Sequence, residues 1–327
     1  MLHSASKIFS MLATSGLVLI LVAPAVAQEP VQVPTLKATV NLVNLFATVR
    51  DKNKRIVGDL QQEDFKIYED NQEQKIAFFS KEVTLPITLG LLIDTSGSER
   101  NRLGAEQEAA TKFMERVMRT GDAAMVISFD FDVNLLVDFT DDPAQIARGI
   151  NRARIGAITG GVVTPGPIPS NVGGTHFYDA VYLASRELTR RDGRHVIVAV
   201  TDGGDTTSDK KYADAFEAAQ KADAIIYPIL VVPITNEAGR NLGGERALST
   251  LASGTGGRVF QPTGASELDQ AFTQILRDLR TQYLVAYYPR NVPADAPRFH
   301  LVKVELSRKD LRATTRTGYY GDATASR

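Results

Sequence analysis

Between residues 86 and 280 the sequence alternates short apolar runs with amphipathic stretches, and this alternation restricts the fold more than any other feature. Residues 87–93 form a nearly continuous apolar run, the pattern of a strand covered on both faces. Ala109, Phe113 and Val117 then fall on one helical stripe, with Met114 beside it. Further strands are predicted over 123–129, 134–139, 195–200, 224–232 and 257–260. Helices are predicted over about 143–154, 175–190, 212–222, 245–253 and 266–280. Such an order predicts an α/β fold, a doubly wound, mostly parallel sheet with right-handed crossovers. Sheets of this kind present ligand sites at the C-terminal edge of their strands.

Both flanks read as β. Residues 36–49 are rich in β-branched and apolar residues, 51–54 form a turn, and 64–69, Asp70-Asn71 and 74–79 read as strand, turn, strand. After the α/β pattern come 283–288, 299–307 and 311–320, punctuated by Pro289, Pro293 and Pro297. Neither flank is large enough to bury a core alone, so the α/β domain is expected to be inserted in, or flanked by, one small all-β sandwich. The division expected is a signal peptide over 1–27, an N-terminal β segment over 28–82, the α/β domain over 83–281 and a C-terminal β segment over 282–327. Tyr287, Tyr288, Tyr319 and Tyr320 are expected to pack in the sandwich core.

The signal peptide is read from a lone Lys7, an apolar stretch over 11–26 and the small-x-small pattern Ala25-Val26-Ala27. Thr14, Ser15, Gly16 and Pro24 interrupt the stretch, against an uncleaved span. The expectation is an exported chain, periplasmic or secreted, with no membrane insertion after cleavage. It has no cysteine, so packing alone must stabilise it. Its 37 basic and 38 acidic residues leave a net charge of −1, which gives no field for nucleic acid or anionic lipid.

The candidate chemistry sits where two apolar strands end. The first runs into Asp94-Thr-Ser-Gly-Ser98, presenting one carboxylate and two hydroxyls, with Gly97 expected to permit the tight turn. The second runs into Thr201-Asp202-Gly203-Gly204-Asp205, bringing a second carboxylate to the same edge. Thr175, after Gly173-Gly174 at a predicted helix start, can add a hydroxyl, the glycines allowing close backbone approach. Oxygen donors without His or Cys suit Mg²⁺, Mn²⁺ or Ca²⁺ rather than zinc. Two carboxylates alone would leave such a site underfilled and open to an external oxygen ligand. Asp205, Thr206 and Ser208 are read as a solvated polar loop, and His176 and His195 as structural or surface residues.

With Asp94, Ser96, Ser98, Thr175 and Asp202 in that order, the sequence resembles the von Willebrand factor A family over about 86–280. That family carries a metal-ion-dependent adhesion site built from Asp-x-Ser-x-Ser with a remote Thr and a remote Asp. Thr120-Gly121-Asp122, 126–129 and 174–180 add to the resemblance. It implies that Ser96, Ser98 and Thr175 coordinate a divalent cation, Mg²⁺ first and Mn²⁺ or Ca²⁺ as alternatives. Asp94 and Asp202 would coordinate directly or through water, and an exposed Asp or Glu of a protein partner would complete the shell. The flanks, with Asp64-Phe-Lys-Ile-Tyr-Glu-Asp70 and Gly318-Tyr-Tyr320, look like those of a bacterial group of related secreted proteins. The Gly- and Pro-rich stretch 156–174 is longer than the family usually has and is expected beside the metal as a flap or specificity loop.

The function expected is therefore binding rather than catalysis. An alternative is a structural or assembly component of the cell envelope, in which the metal only stabilises the fold. A Mg²⁺-dependent phosphohydrolase resembling the haloacid dehalogenases is less well matched, because Ser96 stands where that family needs a second aspartate.

Overall fold

The computed structural model describes residues 42–81, 85–156, 174–231, 242–290 and 299–321. The leader expected over 1–27 and most of the Gly- and Pro-rich stretch lie outside the described residues. Strands β1 (Val43–Asp51), β2 (Phe65–Glu69), β3 (Gln72–Gln74) and β4 (Ile76–Ser80) come first. Then follow β5 (Ile87–Asp94), α1 (Leu103–Val117), β6 (Ala123–Phe129), β7 (Val133–Thr140), α2 (Pro143–Ile150), α3 (Phe177–Leu188) and β8 (Arg194–Thr201). The α/β segment ends with α4 (Tyr212–Lys221), β9 (Ile225–Leu230), α5 (Leu242–Gly254) and α6 (Ala265–Arg280), before β10 (Tyr283–Tyr287), β11 (Phe299–Leu306), β12 (Leu311–Thr314) and β13 (Gly318–Tyr320). No described helix is long and apolar enough to cross a membrane.

The central sheet has the order β7-β6-β5-β8-β9, parallel throughout except for the antiparallel edge strand β7. Side chains alternate across a strand, so β5 feeds two cores. Leu89, Leu91 and Ile93 pack with Phe113 of α1 and Phe272 of α6, whose rings stack at 4.8 Å. Leu92 faces the opposite layer, with Met125, Phe129, Phe177 and Ala184. Cover on both faces is why the run 87–93 is uninterrupted by charge. The strand expected over 257–260 is reduced to a single bridge between Ile229 and Phe260. Gly256, at φ +88°, and the Gly257 amide bonded to Ala252 O still belong to the turn closing α5, which leaves too little chain to pair.

The flanks build two antiparallel sheets, β12-β1-β10-β4 and β13-β11-β2-β3, and each takes strands from both ends of the chain. Val43, Leu45, Phe65, Ile67, Val285 and Val302 are buried in the core that these sheets share. Tyr283 donates to Val57 O at 2.9 Å and accepts from Leu60 N at 3.0 Å, tying the loop after β1 to β10. Tyr287 and Tyr319 are core residues as expected, whereas Tyr288 is 46% exposed and Tyr320 is half-buried against Phe299. The strand expected over 74–79 is in fact two. β3 completes a hairpin with β2 through a turn at Asp70-Asn71, both with positive φ, and after Lys75 the chain crosses to the other sheet as β4.

Side chains also join the sandwich to the α/β layers. Arg316 pairs with Asp223, at the turn between α4 and β9, and donates to Asn44 O at 2.8 Å. Asp278 of α6 pairs with both Arg50 and Arg258.

Candidate metal centre

β5 and β8 are neighbours in register, so Asp94 at the end of one and Asp202 just past the other meet at the C-terminal edge. Asp94 is fully buried. Its Oδ1 accepts from Ser96 N at 2.9 Å and its Oδ2 from Thr201 Oγ1 at 2.7 Å. Burial pushes the Asp94 carboxyl up to about 7, against the pull of those hydrogen bonds, and Asp202 adds to the rise. The Ser96 and Ser98 hydroxyls lie 2.9 Å apart. Gly203, at φ +101°, turns the chain immediately after Asp202, and a Cβ there would come within 2.6 Å of Leu230 Cδ1.

Gly97 behaves differently from expectation. It opens a short 3₁₀ turn without a positive φ, and an added Cβ would meet nothing, so the turn does not depend on glycine. Gly174 does permit a close approach, because a Cβ there would collide with the Thr207 side chain. Thr175 is buried, two residues ahead of α3, and its backbone is zipped to the loop after Asp202. Thr175 N donates to Thr206 Oγ1 at 2.9 Å and Thr206 N to Thr175 O at 3.0 Å.

Asp205, Thr206 and Ser208 are therefore more than a solvated loop. Asp205 Oδ1 accepts from Tyr178 N at 3.0 Å and Ser208 Oγ from Asp179 N at 3.2 Å, so this loop satisfies the free amides at the start of α3. His195 has its ring nitrogens 2.5 and 2.9 Å from Ala222 O and Arg191 O, and His176, at the N-cap of α3 without a side-chain cap bond, has Nδ1 3.5 Å from Asp179 Oδ2.

The structure adds a residue that sequence reasoning missed. Asp94, Glu99 and Asp202 each place a carboxylate oxygen within 4.8 Å of the others. The premise of only two carboxylates is thus corrected: Glu99, buried by the 3₁₀ turn, is a third. Arg102 balances it, with Nε and Nη2 3.0 and 3.1 Å from its oxygens and Nη2 3.7 Å from Asp202 Oδ2. Behind this pair, Glu106 is 1% exposed and its carboxyl adjoins that of Glu99. Burial, and then Glu99, push its carboxyl up to about 10.

Hard oxygen donors converge on this edge with more negative charge than Arg102 offsets, which fits a divalent cation of the Mg²⁺, Mn²⁺ or Ca²⁺ type. Both Asp94 oxygens are buried and held by hydrogen bonds from Ser96 N and Thr201 Oγ1.

The family model described as the von Willebrand factor type A domain matches residues 89–204. Those residues are a von Willebrand factor type A domain. Among solved structures, the chain is similar to the conserved hypothetical protein BatB from Bacteroides thetaiotaomicron, at 17% identity and a TM-score of 0.46, over 59% of this chain and 97% of that one. It is similar to the von Willebrand factor domain of the type V pili tip protein Mfa5 from Porphyromonas gingivalis, at 15% identity and a TM-score of 0.45, over 60% and 96%. It is also similar to proximal thread matrix protein 1 from the mussel byssus, at 16% identity and a TM-score of 0.49, over 65% of this chain and only 51% of that one. No curated protein sequence matches. Within the type A domain, an acid directly after the Asp-x-Ser-x-Ser motif was the available signal for Glu99, and an arginine three residues on was the signal for its partner.

Proposed function

We propose that the chain is an exported, metal-dependent protein-binding module whose type A domain captures an acidic side chain of a partner protein. In this reading Ser96, Ser98 and Thr175 hold a divalent cation, Mg²⁺ first, with Asp94 and Asp202 bound directly or through water. The bound cation supplies a Lewis-acidic position for an Asp or Glu carboxylate. Arg102, 23% exposed beside Asp202, offsets the charge of Glu99, so an incoming carboxylate does not face three uncompensated acids. The β flanks over 28–82 and 282–327 carry the domain over 83–281, after removal of a leader over 1–27.

The observation that carries this reading is the convergence of Asp94, Glu99 and Asp202 within 4.8 Å at the edge where parallel sheets bind ligands. The test is calorimetric titration of the purified chain with Mg²⁺, Mn²⁺ and Ca²⁺, beside Asp94→Ala and Asp202→Ala. One ion bound by the wild type and by neither variant supports the reading; no ion bound by the wild type removes it. An assembly component with a merely stabilising metal would instead keep its partner in Asp94→Ala while unfolding at a lower temperature.

A further inference from the structure

The sandwich contains a second group of ligating side chains, remote in sequence from the first. Glu69 ends β2, Asp70 opens the β2–β3 turn, and His300 lies in β11. Two carboxylate oxygens and one ring nitrogen of these residues all lie within 4.8 Å of one another. His300 Nδ1 is 3.0 Å from Asp70 Oδ2 and 3.5 Å from Glu69 Oε1. Glu69 is fully buried and His300 is 1% exposed, whereas the Asp70 side chain is 29% exposed, so the group opens to solvent on one side.

Each carboxylate is aimed by a neighbour. Leu301 N donates to Asp70 Oδ1 at 3.0 Å, and Asp70 N donates to Leu301 O at 2.9 Å. Tyr319 donates its hydroxyl to Glu69 Oε1 at 2.8 Å and stacks on His300 with ring centroids 5.2 Å apart. Glu69 Oε2 is buried. The hydroxyl of Tyr287 adjoins this carboxylate and is held well above the ordinary phenol range by burial, by the Glu69 charge and by its hydrogen bond to Glu69.

A histidine–carboxylate pair does not account for this arrangement. Nδ1 carries at most one proton, and the 3.0 Å bond to Asp70 uses it, which leaves the buried Glu69 carboxylate, 3.5 Å from Nδ1, with the neutral hydroxyls of Tyr319 and Tyr287 as its hydrogen-bond donors. The spacings suit a shared ion better. Metal bonds of about 2.0–2.2 Å give ligand-to-ligand edges of about 3.0 Å in an octahedron and about 3.4 Å in a tetrahedron, against the 3.0 and 3.5 Å seen here. Hydrogen bonds that orient the ligating carboxylates are the usual companions of a metal site. One imidazole with two carboxylates favours first-row metals over Mg²⁺ or Ca²⁺.

We propose that Glu69, Asp70 and His300 form a second metal site, for a first-row divalent ion such as Zn²⁺, that clasps the β2–β3 turn to β11. Binding requires neutral His300 and displaces any proton held on Nδ1 into solvent. Such a clasp joins residues 230 positions apart, one from each flank of the chain.

The test is calorimetric titration of the chelator-stripped full chain with Zn²⁺ in excess Mg²⁺, with metal content measured after desalting. The proposal expects one Zn²⁺ per chain, affinity lower by about tenfold or more in both Asp70→Asn and His300→Gln, and no change in Asp94→Ala or His176→Gln. Should His300→Gln fail to fold, Asp70→Asn still decides, since its amide oxygen can keep the bond from Leu301 N. Retained Zn²⁺ affinity in Asp70→Asn, or no Zn²⁺ bound by the wild type, overturns it. Because Asp94→Ala reports on the type A domain alone, failure of one site is distinguishable from failure of the other.

Discussion

The Arg102 guanidinium grips both oxygens of the buried Glu99 carboxylate, at 3.0 and 3.1 Å. Removing one partner of a buried pair strands the other. Arg102→Gln is therefore expected to cost about 1–3 kcal/mol of stability in urea unfolding, partial exposure of Arg102 keeping the loss below that of a fully buried pair. Adding Glu99→Gln should return a large part of it. Simple additivity of the two losses would show that the residues are not coupled.

Glu106 makes stability fall as pH rises. Its carboxyl is pushed from an ordinary 4.5 up to about 10 in the folded chain, first by burial and then by Glu99. Below the ordinary value both states hold the proton; between the two values only the folded state does. Over that window the group lowers stability by up to about 1.4 kcal/mol per pH unit. Glu106→Gln should match the wild type near pH 4.5 and exceed it by a margin that grows with pH, up to about 5 kcal/mol at pH 8. Parallel pH profiles for the two proteins would show that Glu106 is ionised in the fold.

How much of this was legible in the sequence depended on range. Asp94 and Asp202 could be placed together because each ends an apolar run, and parallel strands bring such ends to one edge. Glu99 was not placed with them although it directly follows the motif, because it is the 3₁₀ turn Gly97–Asn101 that folds it inward, and a lone acid in a polar loop reads as solvated. The split between β3 and β4 left no mark, since Gln74 is buried and Lys75 exposed in unbroken alternation. The meeting of Glu69 with His300 depends on strand pairing across the whole α/β segment, which no local pattern encodes.

Gly203 holds the Asp202 turn with a φ of +101° and with Leu230 packed where a Cβ would project. Gly203→Ala combines backbone strain with overpacking, and about 1–3 kcal/mol of destabilisation is expected. Because Asp202 is the preceding residue, Mg²⁺ affinity should fall as well. Calorimetry on a variant that still folds separates the effects, and unchanged affinity would mean that the turn's geometry does not set the carboxylate.

Arg316 is 8% exposed and reaches three groups at once: Asp223, the Asn44 carbonyl at 2.8 Å and the Tyr319 ring at 5.5 Å. Asp223, by contrast, has a side chain 42% exposed, where solvent weakens an ion pair. Arg316→Met is thus expected to cost about 1–3 kcal/mol, because it leaves the Asn44 carbonyl short of a donor. Asp223→Asn should cost no more than about 1 kcal/mol. Neither residue lies at the Asp94 edge, so Mg²⁺ affinity should be unchanged in both variants. Equal losses in thermal unfolding would assign the joint between sandwich and α/β layers to the ion pair, whereas the expected asymmetry assigns it to the buried contacts of Arg316 with β1 and Tyr319.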